Sequence, residues 1–293
     1  MKTKKTAEDI LILIIAYLTL ALFAVSTLLP FLNVISKAIS EDWAVVSGKV
    51  GIIPVGFQLD TLKYIITSSE YLRSLLVSVT VTAIGTTLGL LVLGMTAYPL
   101  SKRNIFGIRG IMKLFVFTML FNGGMIPTYL LIKQIHLYNT IWAMILPGMI
   151  NVFNLMIIKN YYEGLPDSIE ESARVDGASN PYILFKIIMP LSKPVYATIA
   201  LFMAVFYWNS YIEPMLYINS TNLRPVQLYL RDIVLEQSDA SSALGQTVGD
   251  KMNVSPEGFR AAAIIAATIP ILAMYPFVQK YFVSGITIGS VKG

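Results

Sequence analysis

The sequence predicts an all-α membrane protein of six transmembrane helices, with a cytoplasmic helix–turn–helix between helices four and five. Three observations predict it. Of 293 residues, 55% are hydrophobic and 13% charged, about half the charge of an ordinary soluble domain. Apolar runs recur at 10–36, 74–100, 111–132, 140–158, 194–218 and 261–283. Each reaches or nears the roughly 20 residues a helix needs to cross the hydrocarbon core. Between the fourth and fifth runs lies one polar, punctuated segment, Glu171-Ser172-Ala173-Arg174-Val175-Asp176-Gly177. Barrel strands would alternate polar and apolar residues over about ten positions, so helices are the spanning form.

The first run follows Lys2, Lys4 and Lys5. Its length exceeds the 7–15 residues or so of a signal-peptide core, and five more runs follow, so an uncleaved anchor is expected. Basic residues in short connections set orientation. Lys102, Arg103, Arg109 and Lys113 follow the second run, whereas the loop after the third has only Lys133. The N-terminal tail 1–9, the loop 101–110, the segment 159–193 and the tail 284–293 are therefore expected in the cytoplasm. Residues 37–73, 133–139 and 219–260 are expected outside, and 10–283 form the transmembrane domain. The net charge of +5 is mostly this topology signal, since no basic stripe or folded module supports nucleic-acid binding.

Within the second run, Gly85, Gly89 and Gly94 let helix backbones approach closely in lipid. The third run is interrupted at Asn122-Gly123-Gly124-Met125-Ile126-Pro127. Non-helical backbone at membrane depth lines a cavity or is buried in protein, so Asn122 is a candidate for the solute pathway, with a kink near the interface as the other reading. The fifth run ends in Phe206-Tyr207-Trp208-Asn209-Ser210-Tyr211-Ile212-Glu213-Pro214. Asn209 and Glu213 are spaced to share a helical face, and with Tyr207 and Trp208 they form a candidate sugar contact. An interfacial aromatic belt is the alternative. The sixth run opens with Ala261, Ala262, Ala263, Ala266 and Ala267 and carries Pro270 and Pro276, a packing face followed by bends. The polar stretches 237–242 and 245–250 of the last outer loop read as a docking surface or as a solvated loop.

Catalytic chemistry has little to work with. There is no cysteine, which excludes disulfides and thiolate-bound metals. The one histidine, His136, lies in a short loop and reads as a solvated side chain. No phosphate-binding glycine loop, zinc-protease motif or nucleophile elbow is present.

The polar segment between runs four and five has its own grammar. Ser168-Ile169-Glu170-Glu171 fits a capping box. A short helix is expected to about Asp176, ending on Gly177 as a left-handed C-cap. Asn180 then caps a second helix with Pro181 at its first position, running to Pro190.

Glu171-Ser172-Ala173, then Gly177, Ile187 and Met189-Pro190 match the spacing of the Glu-Ala-Ala…Gly…Ile-x-Leu-Pro signature. Ser172 replaces the first Ala and Met189 the Leu. The chain therefore resembles permease subunits of bacterial ABC importers. Asp176-Gly177-Ala178-Ser179 and Pro190-Leu191-Ser192-Lys193-Pro194 are similar to the maltose-type carbohydrate permeases, and the likeness spans all six runs. The resemblance implies that the elbow is a coupling helix–turn–helix seated in a cleft of a separate ATPase. Glu171 would make the polar contact, Ala173 would permit close approach and Gly177 would make the turn, with Ser172, Asp176 and Pro190 in the same coupling set. It further implies a second homologous permease subunit, a cytoplasmic ATPase dimer and an extracytoplasmic sugar-binding protein, in a bacterial plasma membrane. Residues 291–293 would add a minor ATPase contact. No cofactor is expected in this chain, since ATP and magnesium would bind the partner ATPase. The layout looks closest to permeases for oligosaccharides, including uronic-acid-containing ones. The alternative is a self-contained secondary transporter or channel, yet the runs hold almost none of the buried ionisable groups that ion coupling uses.

Overall fold

A computed structural model describes residues 7–102, 105–121, 123–236 and 255–290, the last helix beyond residue 273 by its backbone. Among the described residues there is no strand, only an isolated bridge between Ser40 and Phe57. In chain order the helices are α1 Ala7–Ala38, α2 Asp42–Val46, α3 Asp60–Thr67, α4 Ser69–Leu100 and α5 Ile108–Leu120. Then follow α6 Met125–Gln134, α7 Ile141–Ile145, α8 Val152–Glu163, α9 Asp167–Val175 and α10 Asn180–Tyr182. The chain closes with α11 Met189–Leu191, α12 Lys193–Asn209, α13 Ile212–Tyr217, α14 Val226–Glu236 and α15 Pro256–Ser290. The chain divides into two compact units, Met1–Tyr71 with Leu230–Pro270, and Leu72–Tyr229 with Ile271–Gly293.

In the first unit the start of α15 is fixed by side-chain chemistry. Ser255 Oγ accepts the Gly258 N–H at 3.0 Å, and Pro256, which has no N–H to satisfy, takes the first helical position. Asp42 accepts the Ser255 N–H at 2.8 Å, and Lys37 pairs with Glu257 at 3.0 Å. The small-residue face read from the sequence is packed: Ala261, Ala262, Ala263, Ala266 and Ala267 are all buried. Pro270 lies inside α15 and cannot donate to the Ala266 carbonyl one turn back. The Tyr71 hydroxyl donates to that carbonyl instead, at 2.8 Å.

The second unit is held by α4 and α12. A Cβ at Gly85 would strike the Tyr207 ring, one at Gly89 the end of Met203, and one at Gly94 the Tyr196 hydroxyl. Three glycines on α4 thus meet three large residues on α12, the close approach that small residues permit where lipid supplies no hydrophobic drive. Around this seam Leu93, Leu155, Ile158, Ile183, Ile188 and Ile199 are fully enclosed, so dispersion contacts replace those lipid tails would make.

Among the described residues, three helices are long and apolar enough to cross a membrane: Glu8–Ala38, Ser69–Leu100 and Pro256–Ala273. Two bent pairs raise the number to five if each is one span: Ile108–Leu120 with Met125–Gln134 at 112°, and Asn180–Leu191 with Lys193–Asn209 at 82°. The break in the third run falls where the sequence placed it, with Gly124 at φ +93°; Asn122 itself lies outside the described residues. The run 140–158 departs from expectation. It is not one helix but α7 and α8 separated by a turn. Pro147 lacks an N–H and Asn151 caps the next helix by accepting the Asn154 N–H at 3.2 Å, so the ladder stops and restarts. The last helix continues to Ser290, past the expected end at 283. The polar stretches 237–242 and 245–250, and the tail 291–293, lie outside the described residues.

Candidate functional site

The elbow starts at a proline. Pro166 is extended at ψ 129° and α9 begins at Asp167. The expected capping box is not formed: Ser168 lies within the first turn, and no side chain caps the helix end. Acidic Asp167 and Glu170 in that turn offset its unpaired amides through the helix dipole. The C-terminal end matches the sequence reading. Gly177 has φ +79°, its N–H donates to the Arg174 carbonyl at 3.0 Å, and the Ala178 N–H donates to Ala173 at 2.9 Å. That pair of bonds is a Schellman closure. Nothing lies within 4 Å of where a Gly177 Cβ would stand, so the glycine is needed for its backbone rather than for space.

Two adjacent glutamates of α9 face opposite ways. Glu170 is turned inward: its carboxylate pairs with Lys102, accepts the Tyr98 hydroxyl at 3.2 Å and lies 3.9 Å from Arg174. Lys102 Nζ also lies 5.0 Å from the centre of the Tyr98 ring. Glu171 is exposed, with Ser172 beside it, and Val175, one turn on, is 87% exposed. Ala173 is buried in the core with Tyr98, Leu100 and Ile183. Its small side chain therefore allows α9 to approach its own chain. Asp176 closes α9 and is exposed, as is Pro190.

The second arm begins at Asn180 with Ser179, not Asn180, in the capping position. It then widens into a π-helical stretch, Ile183–Ile188, whose last bond runs from the Met189 N–H to the Leu184 carbonyl. The widened turn ends just before Pro190, which has no N–H to give and whose ring crowds the preceding turn. Ser192 then marks the 82° bend into α12.

Of the five candidate solute residues, Asn122 lies outside the described residues, and the side chains of the other four have separate surroundings. Tyr207 is buried, and its hydroxyl donates to the Ile145 carbonyl at 2.9 Å, satisfying a group freed where α7 ends. Trp208 is buried too, its indole N–H unpartnered among the described residues. Asn209 and Glu213 do not share a helical face, because α12 stops at Asn209 and Ser210 is extended at ψ 126°. The Asn209 carboxamide bonds back to the Val205 carbonyl at 3.0 Å, and Glu213 accepts the Ser210 hydroxyl at 2.6 Å. His136 is exposed, and no metal-ligating cluster occurs among the described residues.

Residues 5–288 match the model of the family described as binding-protein-dependent transport system inner membrane component. The chain belongs to this family. It is a multi-pass transport component rather than an enzyme by family, with several helices apolar enough to span. Among relatives of this inner membrane component, the polygalacturonan/rhamnogalacturonan transport system permease protein YtcP of Bacillus subtilis (strain 168) is 45% identical over 94% of this chain and 96% of its own length. Protein LplC of the same organism is 45% identical over 91% of this chain and 90% of its own. A solved bacterial ABC transporter involved in import of the acidic polysaccharide alginate superposes with a TM-score of 0.89. The identity there is 31%, with 96% of this chain and 100% of that chain covered.

Two features of this component escaped the sequence reading. Lys102 was weighed only as a topology charge, though it anchors Glu170. Pro147-Gly148 within an apolar run was the available sign of the break between α7 and α8, which opens a cavity of about 400 Å³ lined by Asn151, Asn154, Phe202 and Phe206.

Proposed function

We propose that the chain is one permease subunit of an ATP-driven importer of oligosaccharides, of the class released from polygalacturonan or rhamnogalacturonan. It forms half of the translocation path with a second, homologous permease. An extracytoplasmic binding protein delivers the sugar and a separate ATPase dimer, which binds ATP and magnesium, drives the cycle. Both termini and the elbow lie in the cytoplasm by the distribution of short-loop lysines and arginines, and the chain crosses the membrane six times, with the broken runs included. The substrate class is supported by the name of the 45% identical relative.

The observation that carries the reading is the elbow. A helix with an exposed Glu171–Val175 face is anchored from behind by the Glu170–Lys102 pair and closed by Gly177. Such a helix transmits force because it cannot swing independently of α4. When the ATPase cleft moves, Glu171, Ser172 and Val175 are what it grips, and Glu170 hands the displacement to the end of α4.

The test is uptake in membrane vesicles carrying this chain with its partner permease and ATPase. With binding protein and trigalacturonate outside and ATP inside, uptake is expected only when all components are present. Uptake by this chain alone, without ATP, would overturn the reading in favour of a secondary transporter.

A further inference from the structure

The apolar run 140–158 should hide its backbone, yet it does not. Between α7 and α8 the N–H groups of Gly148 and Ile150 have no backbone acceptor among the described residues. Polar backbone of this kind persists at membrane depth only against protein or a water-filled cavity. A cavity is present there, about 400 Å³, within the range of small-molecule sites.

Its walls combine two chemistries. Phe202 and Phe206 are one turn apart on α12 and both line it, with the Phe206 ring lying over Gly148 where any Cβ would strike it. Asn154, also lining it, is only 7% exposed. Its backbone N–H is used by Asn151, but its carboxamide has no partner among the described residues. Its amide atoms are open to the cavity rather than sealed off from it, so they are available to hydrogen-bond whatever occupies the space. Among the described residues, no ionisable side chain lines the space.

We infer that this cavity is a solute subsite that holds one sugar ring of the transported oligosaccharide through its uncharged face. The apolar C–H face of a pyranose lies against Phe202 and Phe206, and its hydroxyls bond Asn154 and the free amide of Asn151. A uronate carboxylate points away from these walls, which offer it no cation. The inference rests on the importer reading above, and it assigns the sugar contact to the α7–α8 break and not to Tyr207, Trp208, Asn209 and Glu213.

The chain has no cysteine, so Ile150→Cys places a single thiol on the cavity wall without touching Asn154 or Phe206. In membranes holding the complete transporter, a charged methanethiosulfonate reagent is expected to label it. Trigalacturonate with binding protein and ATP is expected to slow labelling at least threefold. Asn154→Ala and Phe206→Ala are each expected to lower trigalacturonate uptake tenfold or more, with Phe206→Trp retaining it, at unchanged membrane abundance and ATPase co-purification. Absent labelling, or labelling indifferent to sugar while the wild type imports it, overturns the subsite alone. Failure of the wild-type complex to import trigalacturonate or a rhamnogalacturonan tetrasaccharide overturns the importer reading and the subsite with it. The labelling arm leaves the proposed contacts intact, so it decides even if the alanine variants accumulate poorly.

Discussion

Lys102, just past the end of α4, and Glu170, on α9, form an ion pair with the Tyr98 hydroxyl 3.2 Å from the same carboxylate. Their side chains are 24% and 13% exposed, so water screens the pair only in part. Removing the ammonium leaves a mostly enclosed carboxylate, a cost of about 1–2 kcal/mol between the surface and buried extremes. Lys102→Ala is therefore expected to lower sugar-stimulated ATPase activity and uptake severalfold while the protein still inserts. The exchange Lys102→Glu with Glu170→Lys should recover part of the loss. Equal activity of Lys102→Ala and wild type, at equal abundance, would remove the pair from the coupling route.

Tyr71 repairs the gap that Pro270 makes in α15. The Ala266 carbonyl has lost its helical donor and receives the Tyr71 hydroxyl at 2.8 Å. Tyr71→Phe is expected to cost about 1 kcal/mol, the usual net value of one hydrogen bond, lowering the thermal midpoint in detergent by about 2–4 °C. With Pro270→Ala the helix regains its own donor, so Tyr71→Phe in that background should cost measurably less. Additive losses in the two-by-two set would show that the hydroxyl and the proline act independently.

The glycine that ends α9 sits in the left-handed region at φ +79°, with open space where a side chain would go. A Cβ there costs about 1–2 kcal/mol through backbone sterics alone, most for a β-branched residue. Gly177→Val is expected to disorganise the elbow and weaken co-purification of the ATPase, Gly177→Ala less so. Gly177→Asn should be nearly neutral, since Asn visits this region most readily. A crowding mechanism predicts instead a loss that follows side-chain volume, with Asn as harmful as Val.

The helical class and the elbow were legible because their signals are local. Run length and charge depletion mark spans, and a glycine at a helix end marks a left-handed turn. What was missed depends on partners far apart in sequence. Nothing near Glu170 announces Lys102, 68 positions earlier. The run 140–158 is apolar enough for a span, and only the pairing of Pro147 with the cap at Asn151 breaks it. Tyr207 invited a solute role because an aromatic face beside Asn209 and Glu213 suits a sugar ring. Its hydroxyl is taken by a carbonyl freed 62 positions away, which sequence spacing does not reveal. The capping box at Ser168 failed for a simpler reason: Pro166 had already set the start of the helix two residues earlier.

Neighbouring glutamates with opposite surroundings separate partner contact from internal support. Glu170 is tied to Lys102 and Tyr98, whereas Glu171 is exposed and makes no hydrogen bond or ion pair among the described residues. Within this chain a solvated carboxylate contributes little to folding, so Glu171→Gln should leave abundance and thermal midpoint unchanged. If Glu171 meets the ATPase, the same change removes a charge that partner binding desolvates, with a loss of about 2–5 kcal/mol. Co-purification of the ATPase and sugar uptake should then fall together, while Glu170→Gln lowers the thermal midpoint as well. Full uptake by Glu171→Gln, with ATPase retained through a high-salt wash, would move the contact off this residue and onto the apolar Val175 tip.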